Sequence, residues 1–85
     1  MTTVSLPSLV TNINGSVFKD CSKLSTINLS NITNISGNAF ENCSTLNNIS
    51  LPSITTIGGY AFYNCTGISK VEIGPNLTTL GAYAF

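Results

Sequence analysis

One feature dominates the sequence, a repeat of 22 or 23 residues that runs through the whole chain. A Phe recurs at this spacing, and a Cys stands three residues after each of the first three Phe residues. The residues concerned are Phe18, Phe40, Phe62 and Phe85, with Cys21, Cys43 and Cys65. A fixed period of this length is typical of a solenoid, in which each repeat buries its apolar face against its neighbours.

The repeat predicts a single domain built from four coils. Cutting the chain at the first apolar position of each repeat gives coils 1–23, 24–45, 46–67 and 68–85, of which the last stops at its Phe and is incomplete. No residues remain for a linker or a second domain. With 85 residues, the chain is near the size at which one hydrophobic core gives only marginal stability.

Each coil begins with a phrase that predicts a β-strand. Polar and apolar residues alternate in Ser25-Thr26-Ile27-Asn28-Leu29-Ser30, which is typical of a strand with one buried face. A Pro or a Gly-Pro pair follows three of the four phrases. We expect it to end the strand, because Pro cannot donate a hydrogen bond to a neighbouring strand.

The rest of each coil predicts turns and one short helical segment. A phrase such as Ile32-Thr33-Asn34-Ile35 returns two apolar residues to the core, and its Thr and Asn are expected to bond turn backbone or face water. A glycine then predicts a tight bend, with positive φ or close approach of two backbones. These glycines are Gly15, Gly37 and Gly59. Residues 38–43 are predicted to form one helical turn that buries its Phe and Cys.

The joint spacing of these residues resembles the BspA-like, or Treponema-type, leucine-rich repeat. The third coil carries the pattern as Leu46-x-x-Ile49-x-Leu51-Pro52-x-Ile54-Thr55-x-Ile57-Gly58-x-x-Ala61-Phe62-x-Asn64-Cys65, and the resemblance covers all 85 residues. It implies an α/β solenoid, mainly β, whose right-handed superhelix has one parallel strand and a short helical turn per coil. It also implies an extracellular or cell-surface location and a role in adhesion and protein binding.

Composition argues against nucleic-acid and membrane partners. Three Lys balance three acidic residues, and only 7% of residues are charged, against roughly 25% in an ordinary soluble domain. This balance lacks the basic surface of a nucleic-acid binder. No apolar stretch approaches the roughly 20 residues of a membrane span, and the first residues lack the pattern of a secretion signal. The expected partners are proteins, either a host or neighbouring surface protein or other copies of this chain.

The cysteine spacing favours a ladder of buried thiols over a metal site or a disulfide. Equivalent residues of adjacent coils would lie about 4.8 Å apart, which is within reach of a disulfide. However, the number of Cys residues is odd, His is absent, and no two Cys stand two to four residues apart as in zinc sites. We therefore expect no metal and no cofactor. The residues directly before these Cys, Asp20, Asn42 and Asn64, are expected to bond turn backbone and the next coil.

The sequence predicts no catalytic site. His and Arg are absent, and Asp20, Glu41 and Glu72 stand in different coils at different positions of the repeat. No pair of acids and no base for a Ser or Cys nucleophile can be assembled from them. Eight of the eleven Asn residues begin an Asn-x-Ser/Thr sequence, which marks a glycan acceptor in a eukaryotic secretory protein. The Ser- and Thr-rich repeat explains that pattern by composition alone.

The exposed face of the strand phrases is the first candidate binding site. Alternation places the polar residues on the outward side of each strand, where a solenoid offers an extended surface. The members of this strand face are Thr3, Ser5, Thr26, Asn28, Asn48, Ser50, Lys70 and Glu72. A face that is merely solvated has the same alternation, so both interpretations stay open at this point.

The two ends of the predicted solenoid are the second candidate site. Neither end has a recognisable capping repeat, so each is expected to expose an apolar layer and an unpaired strand edge. Head-to-tail stacking of copies would cover both layers and can continue into a filament. A slice of a longer repeat array has the same open layers. The residues of the two layers are Met1, Val4 and Leu6, and Val71, Ile73, Leu77, Leu80 and Phe85.

Overall fold

Strands of neighbouring repeats pair in parallel over most of the described residues. The computed structural model describes residues 2–4, 6–7 and 9–85. Paired residues in it stand 22 or 23 positions apart, so each strand bonds to the same segment of the next repeat. The strands of the described residues are β1 (Thr2–Val4), β2 (Asn12–Ile13), β3 (Leu24–Ile27), β4 (Asn34–Ile35), β5 (Ile49–Leu51), β6 (Thr56–Ile57), β7 (Val71–Ile73) and β8 (Thr79–Leu80).

Each repeat contributes two strands, where the sequence predicted one. The second strand is the Thr-containing phrase, and β2, β4, β6 and β8 form a continuous four-stranded sheet in that order. The sequence did not predict a strand in this phrase, but its two apolar residues, Ile32 and Ile35, are buried as predicted. The apolar residues of the phrase are three positions apart, which is not a strand pattern. Its last two residues nevertheless alternate as in a strand, since Asn34 is exposed and Ile35 is buried. The right-handed sense of the solenoid, the four coils and the single domain over 1–85 remain predictions.

Residues 38–43, which form a corner of the repeat, consist of turns, and the prediction of a helical turn there is wrong. No helix occurs in the part of the chain that the structure describes. Asn38 and Asn42 have φ values of 62° and 65°, in the left-handed region that interrupts a right-handed helix. The Phe40 N–H donates to Ala61 O at 2.7 Å, and the Asn42 N–H donates to Tyr63 O at 2.8 Å. Bonds between repeats thus replace the bonds that a helix directs along its own axis.

Close packing of backbones explains the glycine at the bend. No glycine has positive φ, which falls instead on the next residue, as at Ser16 and Asn38. A Cβ on Gly37 would lie 3.2 Å from the carbonyl oxygen of Gly59, closer than side-chain carbons ordinarily come. The expectation of positive φ at these glycines is wrong, and the expectation of close backbone approach is confirmed.

The apolar positions of the repeat form one continuous core. Its four Phe rings stack along the chain with centroids 5.0–5.2 Å apart and planes within 8° of parallel. The apolar places predicted for the second and third strand phrases are all buried. The largest fully buried side chains are Leu29, Ile32, Ile35, Phe40, Cys43, Leu46, Ile49, Leu51, Ile54, Ile57 and Phe62.

The left-handed turn at Asn42 can be tested by substitution. We expect Asn42→Ala to lower the free energy of unfolding by about 2 kcal/mol, because a left-handed backbone costs a residue with a Cβ about 1–2 kcal/mol and because two side-chain hydrogen bonds are lost. Asn42→Gly loses the same bonds without the conformational cost, so its effect should be smaller. Urea denaturation of the three proteins measures both changes, and equal losses for Ala and Gly would contradict the turn.

Candidate functional site

The described members of the strand face are exposed, as the alternation predicted. Thr26 lies in β3, Ser50 in β5 and Glu72 in β7, and Ser50 and Glu72 stand opposite each other in register. Asn28, Asn48 and Lys70 flank these strands and are also exposed. Thr3 is placed only by its backbone, which pairs with Thr26. Ser5 lies outside the described residues.

The polar groups of the strand face are only loosely held by one another. The Lys70 ammonium lies 3.9 Å from the Glu72 carboxylate, and both side chains are more than 60% exposed. An ion pair so exposed contributes about 0–1 kcal/mol to stability. Ser69 Oγ donates to Asn48 Oδ1 at 2.9 Å. These groups can therefore exchange their present contacts for bonds to a partner at little cost.

The strand face is divided in the middle, which the sequence did not indicate. β1 pairs with β3 and β5 pairs with β7, but β3 and β5 are not paired. The Thr45 hydroxyl lies 2.7 Å from Ser22 O and 2.9 Å from Leu24 O, so it contacts carbonyl oxygens at the start of β3. A groove of about 560 Å³ lies at this division. It is lined by Ser22, Lys23, Ser25, Thr45, Asn47 and Gly67.

The continuous sheet, formed by β2, β4, β6 and β8, has an outer row of Thr residues. The hydroxyls of Thr33, Thr55 and Thr78 each donate to a backbone carbonyl of the preceding repeat, at 3.0–3.3 Å. The recurring Thr of the phrase could have indicated this row. Because these hydroxyls already bond to the fold, the row stiffens the stack of repeats more than it offers groups to a partner.

The bonds to the next coil that were expected of the residues before the Cys are confirmed and form an amide ladder, whereas their expected side-chain bonds to turn backbone stay a prediction. Asn64 Nδ2 donates to Asn42 Oδ1 at 3.0 Å, and Asn42 Nδ2 donates to Asp20 Oδ1 at 2.7 Å. All three residues have φ between 60° and 65°, a conformation that Asn and Asp tolerate better than most residues. The ladder therefore joins the turns of successive repeats.

The predicted end residues fall on opposite sides of the stack. Val4 and Leu6 are half-buried beside the first repeat, and Met1 lies outside the described residues. In the last repeat, Ile73, Leu80 and Phe85 are exposed. Val71 and Leu77 of that repeat are half-buried.

The three Cys residues are free thiols, and two of them donate to the carbonyl of a Phe. Cys43 Sγ lies 3.0 Å from Phe18 O, and Cys65 Sγ lies 3.0 Å from Phe40 O. Cys43 is fully buried, and this burial raises its pKa from 9.0 to about 12. Burial also raises the pKa of Cys65. Neutral thiols of this kind are poor nucleophiles and poor metal ligands, because the thiolate is the reactive form.

No cluster of acidic, Cys or His side chains suited to a metal ion occurs among the described residues. The same part of the chain has no helix long and apolar enough to cross a membrane.

The raised pKa of Cys43 predicts a pH dependence of stability. In the unfolded chain the thiol ionises near pH 9.0, whereas in the folded chain it stays protonated to about pH 12. Its contribution to stability is therefore complete below pH 9 and is lost progressively as the pH rises to 12. We expect the difference in unfolding free energy between the native chain and Cys43→Ala, measured by urea denaturation, to shrink from pH 8 to pH 10.5. A constant difference would contradict the raised pKa.

Comparison with known families identifies the repeat. The family described as BspA type leucine rich repeat region (6 copies) matches residues 1–85. No curated protein and no solved structure matches the chain. The parallel strands, the period of 22 or 23 residues and the buried Leu, Ile and Phe positions agree with the family match. The chain therefore belongs to the family of BspA-type leucine-rich repeats.

Proposed function

We propose that the chain is a non-enzymatic module of a surface adhesion protein and that it binds a protein partner through the strand face. Repeats of this family suggest a protein-interaction or surface module, which supports the general role. The observation that carries the proposal is the row of exposed polar side chains that lie next to buried apolar ones in β3 and β5. Thr26 and Ser50 are exposed, whereas Ile27, Ile49 and Leu51 beside them are buried.

The chemistry of the strand face suits recognition better than catalysis. It offers hydroxyl and amide groups and one exposed pair of opposite charges, Lys70 and Glu72. Such groups form hydrogen bonds with a protein surface, and a rigid stack holds them at a constant spacing. The 85 residues contain neither His nor Arg. Among the described residues, the Glu72 carboxylate forms an ion pair with Lys70 alone.

The proposal predicts that a large charged side chain on the strand face weakens the binding of a protein partner. Asn48→Arg projects a long side chain from the middle of the face, and we expect at least about a tenfold loss of affinity, the size expected for a change at the centre of an interface. The probe is a panel of purified plasma and extracellular-matrix proteins, tested by biolayer interferometry. Any protein bound by the native chain is then tested against the variant.

Asn31→Arg provides the matched control, because Asn31 is equally an exposed Asn but lies in the turn between β3 and β4 and is not a member of the strand face. It should bind like the native chain. The strand face would be excluded if Asn48→Arg and Asn31→Arg bound a partner equally well, or if no protein of the panel bound the native chain.

Self-assembly is a second candidate function, and it is favoured by one observation at the last repeat. Ile73, Leu80 and Phe85 are 41%, 56% and 49% exposed, whereas their equivalents in the preceding repeat, Leu51, Ile57 and Phe62, are buried. Leu6 of a second copy occupies the same place in the repeat as Ile73, and stacking of that copy's first repeat would cover this layer. Such stacking is heterologous, so it adds copies in one direction.

Light scattering of the 85-residue chain tests the stacking. Head-to-tail assembly predicts a mean mass that rises with concentration, and Leu80→Lys should return the chain to a monomer by placing a charge in the apolar layer. Asn76→Lys, at an exposed polar position in a turn of the same repeat, is the control and should assemble like the native chain. A native chain that stays monomeric at millimolar concentration would rule out assembly.

A further inference from the structure

The three tyrosines of the chain form one cluster at a corner of the solenoid. The centroids of Tyr60 and Tyr63 are 5.1 Å apart in an edge-on arrangement, and those of Tyr60 and Tyr83 are 5.2 Å apart with the rings tilted by 32°. Tyr60 is 39% exposed and Tyr83 is 66% exposed, so both rings reach solvent. We call Tyr60, Tyr63 and Tyr83 the tyrosine corner. It is separate from the strand face and from the stacked Phe rings of the core.

Two of these rings occupy backbone positions that disfavour them. Tyr60 and Tyr83 have φ values of 61° and 57°, in the left-handed region that is rarely adopted by bulky residues. The equivalent positions of the earlier repeats hold Ser16 and Asn38, at φ values of 60° and 62°. The same turn therefore forms with small polar residues, and the fold does not require Tyr there. Backbone strain that the fold does not need is a known mark of functional positions.

The neighbouring charge indicates which ligand the tyrosine corner suits. Glu41 occupies the place equivalent to Tyr63 in the preceding repeat, where Asn38 Nδ2 donates to its carboxylate at 2.7 Å. Lys19, which lies one repeat further from the tyrosines, is 3.7 Å from the same carboxylate. A group at the tyrosine corner therefore lies nearer to the anion than to the cation of this pair. The negative end of this ion pair and the exposed aromatic rings together favour a cation.

We infer that the tyrosine corner, with Glu41, binds an arginine side chain of a partner protein. The inference rests on the proposed protein-binding function and adds a second contact site to it. A guanidinium group is planar and weakly hydrated, so it stacks on aromatic rings more readily than an ammonium does. Tyr and Arg are also enriched among the residues that dominate protein interfaces.

A pair of peptides that differ only in charge tests the inference. The probes are acetylated and amidated Gly-Arg-Gly-Arg-Gly and the same peptide with citrulline in place of arginine, which keeps the shape of the side chain but is neutral. Proton NMR follows the Tyr ring signals at low salt. We expect a saturable shift with the arginine peptide and binding at least about fivefold weaker with the citrulline peptide. Equal binding of both peptides, or no saturable shift, would overturn the inference.

Substitution by Asn separates binding from packing. The double variant Tyr60→Asn/Tyr83→Asn should lose the response to the arginine peptide, which is read in this variant from backbone amide signals. Its free energy of unfolding should not fall, because Asn38 already tolerates the same backbone conformation. A variant that is less stable but still binds the peptide would show that the rings serve packing, and would overturn the inference. If the double variant does not fold, Tyr83→Asn and Glu41→Gln decide in its place, and both should weaken binding several-fold.

The strand-face variant distinguishes failure of this inference from failure of the proposed function. Asn48→Arg should leave the response to the arginine peptide unchanged, because Asn48 lies outside the tyrosine corner. If the native chain does not bind the arginine peptide but Asn48→Arg still abolishes binding of a protein partner, the tyrosine corner is excluded as a binding site and the strand face is supported. If the double Tyr variant abolishes partner binding and Asn48→Arg does not, the strand face is excluded and the tyrosine corner stands.

Discussion

Hydrogen bonds between residues 21 to 23 positions apart hold this fold together. They join β2, β4, β6 and β8 into one sheet, and they also link the corner turns, where the Phe40 N–H donates to Ala61 O. A small chain with few charged residues gains little from ion pairs, so it relies on this regular bonding and on the apolar layer that each repeat adds. Both contributions require the same register, which explains why side-chain contacts such as the Phe stack and the amide ladder follow the same period.

The sequence predicted the features that depend on periodicity and missed those that depend on competition between hydrogen bonds. The burial of Leu46, Ile49 and Leu51 follows directly from the spacing of apolar residues. The corner at residues 38–43 has a short helical pattern, yet positive φ occurs at Asn38 and Asn42 and alternate amides of the segment donate to the next repeat. Local propensity cannot predict that outcome, because the acceptor belongs to a segment more than 20 residues away.

The candidate sites were predictable to different degrees for the same reason. Exposure of Thr26, Ser50 and Glu72 follows from alternation, which is a local property. The division of the strand face lies beside Thr45, whose hydroxyl bonds to carbonyl oxygens at the start of β3, and it has no signature in the repeat. The tyrosine corner was missed because its significance comes from backbone conformation, which the residue types alone did not reveal.

Because the scaffold repeats regularly, we expect the functional residues at positions where the repeats differ in sequence. Positions that recur unchanged, such as the buried Phe and the Thr row, serve the stack itself. Positions that vary while the backbone stays the same, such as Ser16, Asn38, Tyr60 and Tyr83, are free to present different chemistry. The strand face and the tyrosine corner are both sets of this second kind.

Scalar couplings across hydrogen bonds, measured by NMR on a chain labelled with ¹⁵N and ¹³C, test the bonding between repeats most directly. We predict a coupling between the amide nitrogen of Phe40 and the carbonyl carbon of Ala61, whose nitrogen–oxygen distance is 2.7 Å. A coupling from Phe40 to the carbonyl of Ser36 in its place, as in a helix, would contradict the stacked architecture on which both candidate sites depend.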